Sequence, residues 1–229
     1  MNTIFSCSAF SLVLTLAAYQ IGLLLQKKFR SPLCNPILLA VVQIVLLLAM
    51  TGVPVQTYQE GTASISWLMT PATICLAIPM YEQYQILKRS LPAILCGVLA
   101  GSVSCLLITW GFCVVFGFSD SLTASLLPKS ITSAIGVPLA ELSGGIPSVC
   151  TAAIIFTGIL GSIFGKSFCR LFHISDPIAQ GAAFGTASHV IGTAKANELD
   201  PLIGAVSSLS LVCAGLMTAI VLPFFSFLH

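Results

Sequence analysis

Five side chains stand where hydrocarbon should surround them. Lys129, Glu141, His189, Lys195 and Glu198 lie in or beside apolar stretches, and a charge at the bilayer centre costs about 2.5 to 3.5 kcal/mol even on the most lenient insertion scale. In Leu127-Pro128-Lys129-Ser130-Ile131-Thr132 a helix-breaking proline is followed at once by a cation and two hydroxyls. That composition suits a carboxylate pocket with Lys129, Ser130 and Thr132 as binding groups. Ser188, His189, Gly192 and Thr193 put hydroxyls, an imidazole and bare backbone at i, i+3 and i+4 spacing, on neighbouring turns of a helix. An unperturbed imidazole titrates near pH 6.5. His189 therefore has two open roles, carrying a proton that accompanies an anion or donating one hydrogen bond while neutral. Plainer alternatives stand beside these: Lys195 and Glu198 pairing at i, i+3 near a membrane edge, and Lys129 pairing with a glutamate.

Enzyme chemistry is not expected. Ser188 and His189 are adjacent, so on a helix they point about 100° apart and make no nucleophile–base pair. Neither G-x-S-x-G nor H-E-x-x-H occurs. Gly161, Gly165, Lys166 and Ser167 imitate a phosphate loop, but Leu160 stands where its first glycine belongs. Gly161 and Gly165 read instead as a helix-packing face. The nine cysteines form no C-x-x-C pair, so no zinc knuckle or disulfide framework is indicated and no metal or cofactor is expected.

The elements that must position these groups are membrane helices. Of 229 residues, 57% are hydrophobic and 7% charged, with mean hydropathy +1.04, whereas soluble domains carry about 25% charge. A net charge of +2 without a basic, aromatic-studded surface excludes a nucleic-acid partner. The expected fold is all-α and polytopic, with about seven to eight hydrophobic segments at roughly 20 residues per span. Residues 4–25 read as a retained first span, since their positive charges, Lys27, Lys28 and Arg30, follow the apolar run instead of preceding it. Residues 36–51 make a short apolar segment, 52–61 a polar turn, 64–84 a segment interrupted at Pro71 and Pro79, and 91–118 a long span. Residues 121–142 form a broken stretch, 148–168 a span, 177–199 an interrupted segment with Gly185 and Gly192, and 202–228 the last span.

Residues 1–118 and 119–229 read as related halves of one membrane-embedded domain. Glu82 and Glu198 end their interrupted segments alike, and a long span follows each. Paired interrupted segments point to a transporter site near the midplane, because a helix broken in hydrocarbon must turn its unpaired backbone toward protein, water or substrate. Pro71 and Pro79 acting as mere kinks is the plainer alternative. Lys27–Arg30, Lys88–Arg89 and Lys166–Arg170 mark cytoplasmic loops, with the N-terminus outside. Inverted halves need an odd number of crossings each, so either one interrupted segment per half is re-entrant or the halves are parallel; the inverted arrangement is the expectation.

The chain resembles the LrgB/CidB family, also called YohK-like or antiholin-like, which includes the plastidial glycolate/glycerate transporter. The resemblance is carried by Asn35-Pro36-Ile37-Leu38, Pro71-Ala72-Thr73, Pro79-Met80-Tyr81-Glu82, Leu127–Thr132, Glu141 with Gly144-Gly145-Ile146-Pro147, Phe156–Gly161, and Gly185-Thr186-Ala187-Ser188-His189 through Gly192-Thr193-Ala194. It covers nearly the whole chain. One departure is Ala134, where relatives commonly place a proline; here Pro138 follows a turn later. The resemblance implies either a carrier of small 2-hydroxy or 2-oxo monocarboxylates such as glycolate, glycerate or pyruvate, or an antiholin-like regulator of murein hydrolases and lysis that acts with a small LrgA/CidA-type partner. The interrupted segments favour the carrier. Asn35 and Thr73 join the candidate substrate-binding residues, and Glu82 joins Glu141, His189, Lys195 and Glu198 as candidates for ion coupling or pairing. A multi-pass location in the bacterial cytoplasmic membrane, lipid contact and a homo-oligomer are expected.

Overall fold

The computed structural model describes residues 8–29 and 35–225, without the side chains of Ser66, Met69, Thr70 and Thr73. Residues 4–7 and 226–228, at the ends of the first and last expected spans, and Arg30 lie outside the described residues. Eleven helices are present among the described residues: α1 (Ser8–Phe29), α2 (Pro36–Thr51), α3 (Val55–Gly61), α4 (Ala63–Cys75), α5 (Ala77–Glu82), α6 (Tyr84–Val115), α7 (Asp120–Leu126), α8 (Ser133–Leu142), α9 (Pro147–Leu171), α10 (Pro177–Leu199) and α11 (Pro201–Phe225). Among the described residues four helices, α1, α6, α9 and α11, are long and apolar enough to cross a membrane, and α2 and α8 are shorter apolar helices.

Helix starts follow from local chemistry. Asn35 Oδ1 accepts from the Ile37 amide at 2.9 Å and Asp176 Oδ1 from the Ala179 amide at 2.8 Å. Asp200 Oδ1 accepts from the Leu202 amide at 2.7 Å. In each case proline fills the next position, where a missing N–H costs nothing. Gly52, at φ 67°, closes α2 in the left-handed conformation that glycine adopts freely.

The chain packs as two compact units, residues 1–75 and 76–229. In the first, α1 lies on α2, with Leu48 and Val53 buried against Leu14 and Tyr58. Thr15 hydrogen-bonds with Tyr58 there. In the second, α10 packs most extensively on α11, flanked by α6 and α9. Its main core holds Leu87, Ile94, Val98, Ile131 and Val206. Glycine makes the α10–α11 approach possible: a Cβ on Gly181 would sit 2.6 Å from Val206 Cβ, and one on Gly185 would strike the Ser207 carbonyl.

The interruptions differ from the expected ones in position. Residues 55–61 of the expected polar turn are helical. Pro71 lies inside α4; the segment is broken at Leu76 and Gln83, and Pro79, in the first turn of α5, accounts for the first of these breaks because it cannot donate back to Cys75. Gly185 and Gly192 are helical, and α10 breaks between them at His189. Residues 121–142 do break, into α7 and α8 around Leu127–Thr132, the turn that contains Pro128 and Lys129.

Candidate functional site

Lys129 sits in the unwound turn between α7 and α8. The Lys129 and Ile131 amides reach the carbonyls of Leu126 and Pro128. Ser130 is buried in the same turn, and Thr132 is the extended residue from which α8 starts without a side-chain cap. The lysine stem crosses to α6, where Nζ donates to Thr109 Oγ1 at 2.9 Å and to Cys105 Sγ at 3.3 Å. Both are neutral acceptors. Among the described residues no carboxylate pairs with Lys129, and Glu141 and Glu82 are exposed. A half-buried ammonium without a counter-charge is costly unless a further anion joins it.

That ammonium borders a groove of about 690 Å³ between α6, α9 and α10. On the α6 side the wall is Ala93, Gly97, Gly101 and Cys105, one residue per turn, and on the α10 side it is mostly alanine with Thr186. Gly97 faces open space. A second, more apolar groove of about 480 Å³ runs between α9 and α10, lined by Phe164, Phe168 and Phe184 with Ser188.

His189 and Thr193 lie in a different place, inside the α9–α10–α11 packing. At φ 42° and ψ −141°, His189 holds a conformation rarely adopted by L-residues, with a cost of about 1 to 3 kcal/mol. Three contacts offset it. The ring fills the notch left by Gly158, and Nε2 lies 2.9 Å from the Ile154 carbonyl. A carbonyl only accepts, so Nε2 carries the proton. Thr193 Oγ1 donates to the His189 carbonyl at 2.9 Å, and Ser207 Oγ, 2.8 Å away, donates to Thr193 in turn. Ser188 is buried over Gly161, where an added Cβ would fall on its hydroxyl, and a Cβ at Gly165 would meet the Phe184 ring.

The structure thus gathers Lys129 with Thr109, Cys105 and the groove, and separately gathers Ser188, His189 and Thr193. Neither set includes Asn35, whose side chain caps α2 in the first unit. The side chain of Thr73 lies outside the described residues. Lys195 and Glu198 pair at 2.7 Å with exposures of 30% and 66%. Sequence reasoning missed Cys105, Thr109 and Thr186. The four-residue ladder Ala93, Gly97, Gly101, Cys105, Thr109 was the available signal for the first two.

The profile of the LrgB-like family matches residues 15–228. In two Staphylococcus epidermidis strains the holin-like protein CidB is 34% identical to this chain over 212 residues, 93% of both lengths. No solved structure matches.

Proposed function

The chain belongs to the LrgB-like family, and on that premise we propose that this multi-pass bacterial membrane protein is a holin-like component that controls murein hydrolase activity and lysis with a small LrgA/CidA-type partner. End-to-end likeness to the CidB proteins carries this reading, since the whole chain and not one module is shared. The fold accords with it: a chain built of apolar helices must act within the bilayer or through other membrane helices. The test is expression in a bacterium lacking its own pair, with and without the partner, scored by murein hydrolase zymography and detergent-induced lysis. A change in either readout that requires this chain is expected; identical lysis with and without it refutes the proposal.

A second reading, a carrier of small monocarboxylates, is favoured by one observation: Lys129, in a broken membrane segment beside a groove of small residues, has no carboxylate partner among the described residues. The α8 start three residues on adds amides and the positive end of a helix dipole. In this reading the halves 1–118 and 119–229 are related repeats, each with an interrupted segment. His189, with Nε2–H committed to the Ile154 carbonyl, fits a neutral, hydrogen-bonding part better than a proton-carrying one. Liposomes holding the purified chain should take up labelled pyruvate or glycolate saturably, and Lys129→Ala should abolish uptake. No uptake of either acid, with or without the partner, leaves the regulator alone.

A further inference from the structure

The groove beside Lys129 holds a second polar group that the protein itself does not use. Thr186, 7% exposed, lines the groove from α10, and its Oγ1 is buried without a hydrogen-bond partner. Buried hydroxyls are nearly always satisfied, and one that is not carries a desolvation cost without return. Its methyl faces α6: Cγ2 would lie 3.0 Å from a Cβ placed on Gly101. Lys129 Nζ reaches α6 one and two turns further on, at Cys105 and Thr109. Thr186 and the ammonium therefore both stand against the α6 wall of the groove, within about two turns of each other. A hydroxyl and an ammonium lining one groove can both serve a small carboxylic acid anion lying between them.

We infer that Thr186 is the second ligand-binding residue of this groove: its hydroxyl donates to a small monoanion whose charge is met by Lys129. The inference rests on the carrier reading and adds a residue and a charge rule to it. Lys129 is the cation among the groove-lining residues, so a second negative charge on the ligand finds no counter-charge there. Gly97, which faces open space, leaves room for a short carbon chain.

The test is equilibrium dialysis of the full chain in lipid nanodiscs against labelled pyruvate, a monoanion, and oxalate, a dianion of similar size. Wild type should bind pyruvate saturably and oxalate at least tenfold more weakly. Thr186→Val keeps the shape and removes the hydroxyl. It should weaken pyruvate about tenfold, about 1.4 kcal/mol, while the ligand-free protein melts at the same or a higher temperature, because an unpaired buried hydroxyl has gone. Thr186→Ser should stay within about threefold of wild type, and Lys129→Met should bind no pyruvate. Unchanged pyruvate binding in Thr186→Val, alongside loss in Lys129→Met, overturns the role of Thr186 and leaves the carrier reading standing. Oxalate bound as tightly as pyruvate overturns the charge rule. A wild type that binds neither overturns the inference and the carrier reading together.

Discussion

Gly158→Ala is the sharpest probe of how the break in α10 is held. An added Cβ would lie 2.6 Å from His189 Cε1, 2.7 Å from Nε2 and 3.0 Å from Ile191 Cβ, against a comfortable carbon contact of about 3.5 to 4.0 Å. The ring would have to retreat by about 1 Å, and it is not a free end: Nε2–H is bonded to the Ile154 carbonyl and the backbone turns at this residue. Overpacking costs about 1 to 3 kcal/mol and the lost hydrogen bond about 1 kcal/mol more, for a total of about 2 to 4 kcal/mol. For a chain of this size that lowers the thermal midpoint by roughly 4 to 16 °C. The assay is a melting curve in detergent for Gly158→Ala, His189→Ala and the double variant. With the imidazole absent the added methyl should cost less than about 1 kcal/mol, so the two changes couple strongly. A Gly158→Ala protein that melts like wild type, or an equal loss in both backgrounds, refutes the account of His189 as the wedge that holds the break.

Three further outcomes are expected. Thr193→Val should destabilise by about 1 to 3 kcal/mol, since it strips partners from the buried His189 carbonyl and Ser207 hydroxyl; melting curves check it, with Thr193→Ser near wild type. Glu198→Gln removes an exposed ion pair worth at most about 1 kcal/mol, so the midpoint should move by no more than about 4 °C, and a larger drop would give the pair a structural part its exposure does not suggest. In a background without native cysteines, Ser143→Cys should react with an impermeant maleimide in intact cells and Ser175→Cys should not, because Lys166 and Arg170 place the α9 C-terminus in the cytoplasm; the reverse labelling inverts the topology.

Much of the architecture was legible from local chemistry alone. Asn35-Pro36, Asp176-Pro177 and Asp200-Pro201 announce helix starts because a carboxylate or amide oxygen caps the first amides of its own chain whatever surrounds it. The bilayer length of α6, α9 and α11 follows from hydropathy. The break around Lys129 follows from Pro128 and the polar run behind it, and the packing use of Gly161 and Gly165 from their spacing. Tertiary structure decided the rest. Pro71 stays inside α4, and His189, not a breaker by type, carries the interruption of α10, whereas the break at Leu76 lies where Pro79 cannot donate back to Cys75. A strained residue persists only where distant groups fix it, and those of His189 lie on other helices, at Ile154 and, through Thr193, at Ser207. The partners of Lys129, 20 and 24 residues back on α6, and the unused hydroxyl of Thr186 likewise depend on how α6, α9 and α10 cross. Composition and periodicity describe each helix along its own axis; which faces meet, and which polar atoms are left for a ligand, is set by packing between axes.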